Sequence, residues 1–183
     1  MPLGDDTFSD IDTWRFKVDQ DIIPEEWFVK DYEKGRAREA VKLWAKEHIH
    51  IDKDGLELSG GTHYIKDCKN IVLRGSSTVN EMYGSSTVNV MWGSSTVNEM
   101  RDSSTVNVMY GSSTVNTMYG SSTVNVMWDS STVNEMHGSS TVKGMCDSST
   151  VNEMRDSSTV NEMYGSSAVN EMHGRTTIHL VNC

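Results

Sequence analysis

The sequence predicts a mainly β protein, a parallel β-solenoid with about eighteen residues per coil, preceded by an N-terminal α-helical cap. Three observations predict it. A nine-residue phrase, Ser-Ser-Thr-Val-Asn-x-Met followed by an aromatic, His or Arg and then Gly or Asp, is written eleven times between Ser76 and Gly174. A period this short and strict belongs to chains whose units bury their apolar residues only by stacking on copies of themselves. The fourth residue of each phrase is Val, from Val79 to Val169, and the seventh is Met, from Met82 to Met172, so two apolar columns run the length of the array. The sixth residue reads Glu81, Val90, Glu99, Val108, Thr117, Val126, Glu135, an alternation that makes two phrases one coil.

Each position of the phrase has a physical reason. Val at the fourth and Met at the seventh position would lie on opposite faces of one flat strand, so the chain must turn a corner between them. Asn at the fifth position supplies that corner, with an amide able to stack on the Asn one coil above. Gly or Asp at the ninth, followed by Ser-Ser, supplies the other. The ninth position has its own three-phrase rhythm, Gly84, Gly93, Asp102, Gly111, Gly120, Asp129, which suits a coil of twenty-seven. The sixth position outranks it, because Gly and Asp exchange freely at a turn whereas Glu and Val need different surroundings.

Coils of eighteen sort the phrases onto two sides. One carries an acidic ladder, Glu81, Glu99, Glu135, Glu153 and Glu171, beside Tyr83, Arg101, Tyr119, His137, Arg155 and His173. The other carries Val90, Val108 and Val126 beside Trp92, Tyr110 and Trp128, then degrades through Gly144, Cys146, Glu162 and Tyr164. A contiguous apolar and aromatic strip of that kind is normally covered, which makes it the candidate interaction surface.

Three regions are expected along the chain: residues 1–50 as a strand and helix capping region, 51–75 as irregular first coils, and 76–183 as the repeat solenoid. Trp14 to Val18 alternates like a short strand. Pro24-Glu-Glu opens a helix, proline in the first turn and acids near its positive end, that continues to about His48 with a bend expected at Gly35. Its apolar stripe needs a surface, either the open N-terminal end of the solenoid, the preferred placement, or the Val/Trp strip. From Ile49, short alternating strands separated by Gly turns follow, and Leu73, Arg74 and Gly75 fall into the seventh, eighth and ninth positions of the repeat. A twelfth phrase, Arg175 to Cys183, puts Ile178, Leu180 and Val181 where they form an open edge, expected to be covered by a second copy of the protein.

Composition narrows the function classes. The 183 residues carry 26 acidic and 16 basic side chains, a net charge of −10, spread over both halves, which disfavours binding to nucleic acid through a basic patch. No basic n-region with an apolar core opens the chain and no stretch is apolar enough to span a bilayer. Three unpatterned cysteines, Cys68, Cys146 and Cys183, fit free thiols in a reducing cytoplasm.

The phrases resemble the short tandem repeats, of an Asn/Ser-Ser-Thr-Val type, of uncharacterised repeat proteins from gut bacteria and their phages, and residues 44–51 and 63–70 resemble the leader of such proteins. That resemblance implies a repeat architecture and carries no activity with it. The small-then-apolar pairing of Ser and Val is also similar, more loosely, to pentapeptide-repeat proteins, some of which are acidic mimics of DNA.

Candidate reactive groups reduce to structural ones. His48 and His50 with Asp52 and Asp54 lack a defined third metal ligand, and a helix end running into a polar strand explains them. His137 and Cys146 would fall on opposite sides of an eighteen-residue coil, which argues against a nucleophile pair. Lys143, Gly144 and Cys146 read as repeat drift. No catalytic residue, metal or cofactor is expected. The function expected is a non-catalytic scaffold that forms a homodimer, through the last coil or the Val/Trp strip, and presents its outer columns to a protein partner. The alternatives are an acidic nucleic-acid mimic built on the Glu ladder, and glycan or ice binding along the aromatic or Thr columns.

Overall fold

The computed structural model describes residues 31–179, with side chains from residue 35. The expected strand at Trp14–Val18, the helix start at Pro24, and Leu180 and Val181 lie outside the described residues.

Helix α1 spans Asp31–His48 and is continuous through Gly35. Lys46 and His48 occupy its last turn, where positive charge complements the helix dipole, and the Trp44 and His48 rings, one turn apart, stack at 4.9 Å. The helix and the solenoid belong to separate compact units. Among the described residues no helix is long and apolar enough to cross a membrane.

The solenoid consists of two parallel sheets, one from the odd-numbered strands and one from the even. The first contains β1 (Ile49–Ile51), β3 (Thr62–Lys66), β5 (Thr78–Tyr83), β7 (Thr96–Met100), β9 (Thr114–Met118), β11 (Thr132–Met136), β13 (Thr150–Met154) and β15 (Ala168–Met172), in that order. The second contains β2 (Glu57–Leu58), β4 (Ile71–Leu73), β6 (Thr87–Met91), β8 (Thr105–Met109), β10 (Thr123–Met127), β12 (Thr141–Met145), β14 (Thr159–Met163) and β16 (Thr177–Ile178). Val124 pairs with Val106 on one side and Val142 on the other, eighteen residues away each time, which settles the coil length. The twenty-seven-residue alternative is therefore excluded.

Val and Met of every phrase from Val79 to Val160 are fully buried, and Ser at the second position is buried beside them. The strand stays continuous from Thr to Met, and the pairing register skips the Asn, so the backbone bends at the fifth and sixth residues while both apolar side chains turn inward. The asparagines form ladders: Nδ2 of Asn98, Asn116, Asn134, Asn152 and Asn170 each donates to Oδ1 of the Asn eighteen residues earlier, at 2.7–2.9 Å. On the even sheet the ladder climbs from Asn89 to Asn125 and then meets Lys143, which leaves Asn125 Oδ1 buried without a donor.

The ninth position explains why Gly and Asp alternate there. It takes a left-handed backbone, with φ of 66° at Gly84 and 57° at both Asp102 and Asp129. Gly has no Cβ to oppose this, and Asp offsets its penalty with a hydrogen bond. Asp102 Oδ2 accepts the N–H of Gly84 at 3.0 Å, and Asp129 and Asp156 do the same for Gly111 and Gly138 at 2.8 Å.

The first coils depart from the phrase. Register shifts occur at His63/Tyr64, opposite β5, and at Ile71/Val72, opposite β6, after which Leu73 pairs with Met91 as the repeat requires. Cys68 fills this region, fully buried, its thiol within reach of the carbonyls of His50 at 3.2 Å and Lys66 at 3.4 Å. Burial pushes its pKa up, the mark of a packing thiol rather than a nucleophile.

Candidate functional site

Because Val, Met and Ser are consumed by the core, chemistry is left to the sixth and eighth positions, which the coil sorts onto two outer faces. The even face carries the Val90, Val108 and Val126 column in register, each half-buried by its neighbours. Beside it the Trp92 and Tyr110 rings stack at 4.4 Å and 16°, and Trp92 and Trp128 remain 42% and 38% exposed. These three rungs hold no charged side chain at either outer position.

The odd face brings the acidic ladder into one column, with Glu81 paired to Glu99, Glu135 to Glu153 and Glu153 to Glu171, and Thr117 interposed between Glu99 and Glu135. Carboxylates one rung apart, about 4.8 Å, repel one another. The neighbouring column offsets much of that. Arg101 Nε donates to Glu99 Oε2 at 2.9 Å, Arg155 lies 2.6 Å from Glu153 Oε1, and His137 Nε2 lies 3.1 Å from Glu135 Oε2. The Arg101 guanidinium is held between two aromatic rings, 5.6 Å from the centre of Tyr83 and 5.2 Å from that of Tyr119. Partial burial opposes its charge, and the hydrogen bond and charge of Glu99 outweigh that burial and raise its pKa. The next ring, His137, stacks on Tyr119 at 5.2 Å.

Sequence reasoning missed three arrangements, all visible only once residues eighteen apart are superposed. One is the Tyr83–Arg101–Tyr119 sandwich. Another is the meeting of Glu153, Glu171 and His173, whose ligand atoms lie within 4.8 Å of one another. Arg155 already lies 2.6 Å from Glu153 Oε1, so positive charge is supplied there by the chain itself, and His173 Nε2 lies 3.3 Å from the same oxygen. The third is a cavity of about 460 Å³ on the even face, beside Gly144 and Cys146, where the sequence showed only drift.

The remaining candidates are dispersed. His48 stacks on Trp44, whereas His50 Nε2 lies 3.2 Å from His63 Nδ1. His63 Nε2 donates to the Gly60 carbonyl at 2.8 Å, which makes Nδ1 the acceptor for His50. Asp54 accepts from Asn70 Nδ2 at 2.7 Å. His137 and Cys146 follow β11 and β12, strands of opposite sheets, as the coil length requires. At the far end Ile178 is half-buried on β16 and Met172, a core position elsewhere, is 45% exposed on β15.

The fold and these faces define a parallel β-solenoid built of Ser/Thr/Asn ladders. No family model, curated protein or solved structure matches the chain.

Proposed function

We propose that the protein is a non-catalytic repeat scaffold that pairs with a second copy of itself through the even-face strip and presents its other outer columns to a protein partner. One observation carries this reading. The strip is palindromic: Trp92, Tyr110 and Trp128 read the same in both directions along the coil axis, as do Val90, Val108 and Val126. A two-fold axis at the Val108/Tyr110 rung sets Trp92 of one copy against the Trp128 rung of the other, with identical rung spacing on both sides. The strip also lacks charge in a chain of net charge −10, so a like-charged copy meets no repulsion there. Large exposed aromatics at the centre of such a surface are the usual energetic anchors of an interface.

The acidic ladder supports nucleic-acid mimicry less well, because Arg101, Arg155, His137 and His173 interleave with it. Glycan or ice binding along a Thr column has one half-buried Thr per rung to work with. We further place the chain among the bacterial and phage tandem-repeat proteins whose phrases it resembles, in a reducing cytoplasm.

Light scattering tests the reading. Wild type is expected at twice 20.4 kDa and the Trp92→Ser/Trp128→Ser variant, with unchanged far-UV circular dichroism, as a monomer. The dimer constant should weaken at least about 100-fold. A monomeric wild type, or a double variant that stays equally dimeric, contradicts it.

A further inference from the structure

The cavity on the even face lies one rung beyond the strip. Gly144 pairs with Val126 on one side and Glu162 on the other, so the rung carrying Gly144 and Cys146 sits between one bearing Trp128 and one bearing Tyr164. Two small residues there leave a notch with aromatic rings on both sides. The fold does not require the gap: Gly144 has no left-handed backbone, and a Cβ on it would meet nothing closer than the Asn125 carbonyl at 3.7 Å.

The odd face shows what fits such a gap. There Arg101 occupies one rung between Tyr83 and Tyr119, two rungs apart, and donates to the Glu99 carboxylate. The notch repeats the rings and the carboxylate: Trp128 and Tyr164 are two rungs apart, Glu162 lies beside them with one oxygen held by the Tyr164 hydroxyl at 3.1 Å, and Asp147 is among the lining residues. Guanidinium groups stack on aromatic faces and pair with carboxylates in this way.

Counting rungs from the two-fold axis at Val108/Tyr110 identifies a cation. Gly144 and Cys146 lie two rungs to one side. Two rungs to the other side, reached through Leu73 pairing with Met91 and Val90 with Val108, the eighth position is Arg74, half-exposed and ion-paired with the exposed Glu57. We infer that Arg74 of a second copy enters the notch between Trp128 and Tyr164, exchanging Glu57 for Glu162, and that its reciprocal contact closes the interface at both ends of the strip. The inference rests on the self-association proposed above and adds its register: three rungs uncharged at their sixth and eighth positions at the centre, and an arginine facing a notch on either flank.

The test replaces Arg74→Cys and treats the full-length protein with a bismaleimide whose spacer matches the roughly 10 Å between packed sheets. Cys146 is the expected partner, so a covalent dimer should form and disappear in Arg74→Cys/Cys146→Ser. Light scattering of the same sample separates the two levels of failure. A monomer overturns self-association itself; a dimer that does not cross-link leaves self-association standing and overturns the register. Arg74→Met, which keeps the aliphatic stem, and Cys146→Tyr, which fills the notch, should each weaken the dimer about tenfold or more. Unchanged affinity in both also overturns the inference.

Discussion

Val115→Asp is expected to unfold the coils around it. Val115 is fully buried and pairs with Val97 and Val133 in a column that is Val at every rung from Val79 to Val169, flanked by Met and Ser columns. A carboxylate there meets no cation and no array of donors, and an uncompensated buried charge belongs to the small class of substitutions that cost more than about 4 kcal/mol. A solenoid coil is held only by its neighbours, so the loss propagates to the coils on both sides. Urea denaturation followed by circular dichroism should show a lower midpoint and a shallower or split transition. Val115→Ala, which only removes apolar volume, should cost about 1.5–3 kcal/mol and keep the transition intact. If Val115→Asp unfolds at the wild-type midpoint, the Val column is not the core.

Gly111→Val should have the next largest effect, for a reason that lies in the backbone. Gly111 has φ of 69°, and a Cβ on it would sit 3.0 Å from the carbonyl oxygen of Gly93 on the coil before. A β-branched residue bears the left-handed penalty of about 1–2 kcal/mol and cannot turn its methyls away from that coil, so a total of about 2–4 kcal/mol is expected. Gly111→Asp should stay within about 1 kcal/mol of wild type, because its carboxylate would accept the Gly93 N–H as Asp102 accepts that of Gly84. Thermal melts of the two variants check the contrast. Equal losses would mean that the ninth position discriminates by size alone.

Much of this architecture was legible because the repeat states its own rule. The alternation of Glu81, Val90, Glu99 and Val108 reports two surroundings, and two surroundings per period give the coil length. The shared Gly/Asp position is a left-handed turn, and Leu73, Arg74 and Gly75 were recognisable as an earlier copy from position alone. The turn at Asn was legible from the odd spacing of Val and Met, and the pairing register skips that residue while both apolar side chains are buried. The register shifts at His63/Tyr64 and Ile71/Val72 were not legible, since no second copy of that stretch exists to set a phase. The notch was hidden for a different reason. Gly144 and Cys146 look like decay when compared with the phrases next to them, and acquire meaning only beside Val126, Trp128, Glu162 and Tyr164, eighteen residues away on either side.

The claim on which the functional account depends is that coil parity, rather than local sequence, assembles the strip. Two insertions isolate it. Duplicating Ser112–Gly120 adds nine residues, keeps every Val and Met in the core, and moves the Trp128 phrase to the opposite face from Trp92 and Tyr110. Duplicating Ser103–Gly120 adds eighteen, also preserves the core, and leaves the strip on one face with an added Val108/Tyr110 rung. Solution mass by light scattering, with circular dichroism confirming β structure in both, should show a monomer for the nine-residue insertion and a dimer for the eighteen-residue one. A dimer of undiminished affinity in the nine-residue insertion would contradict the account.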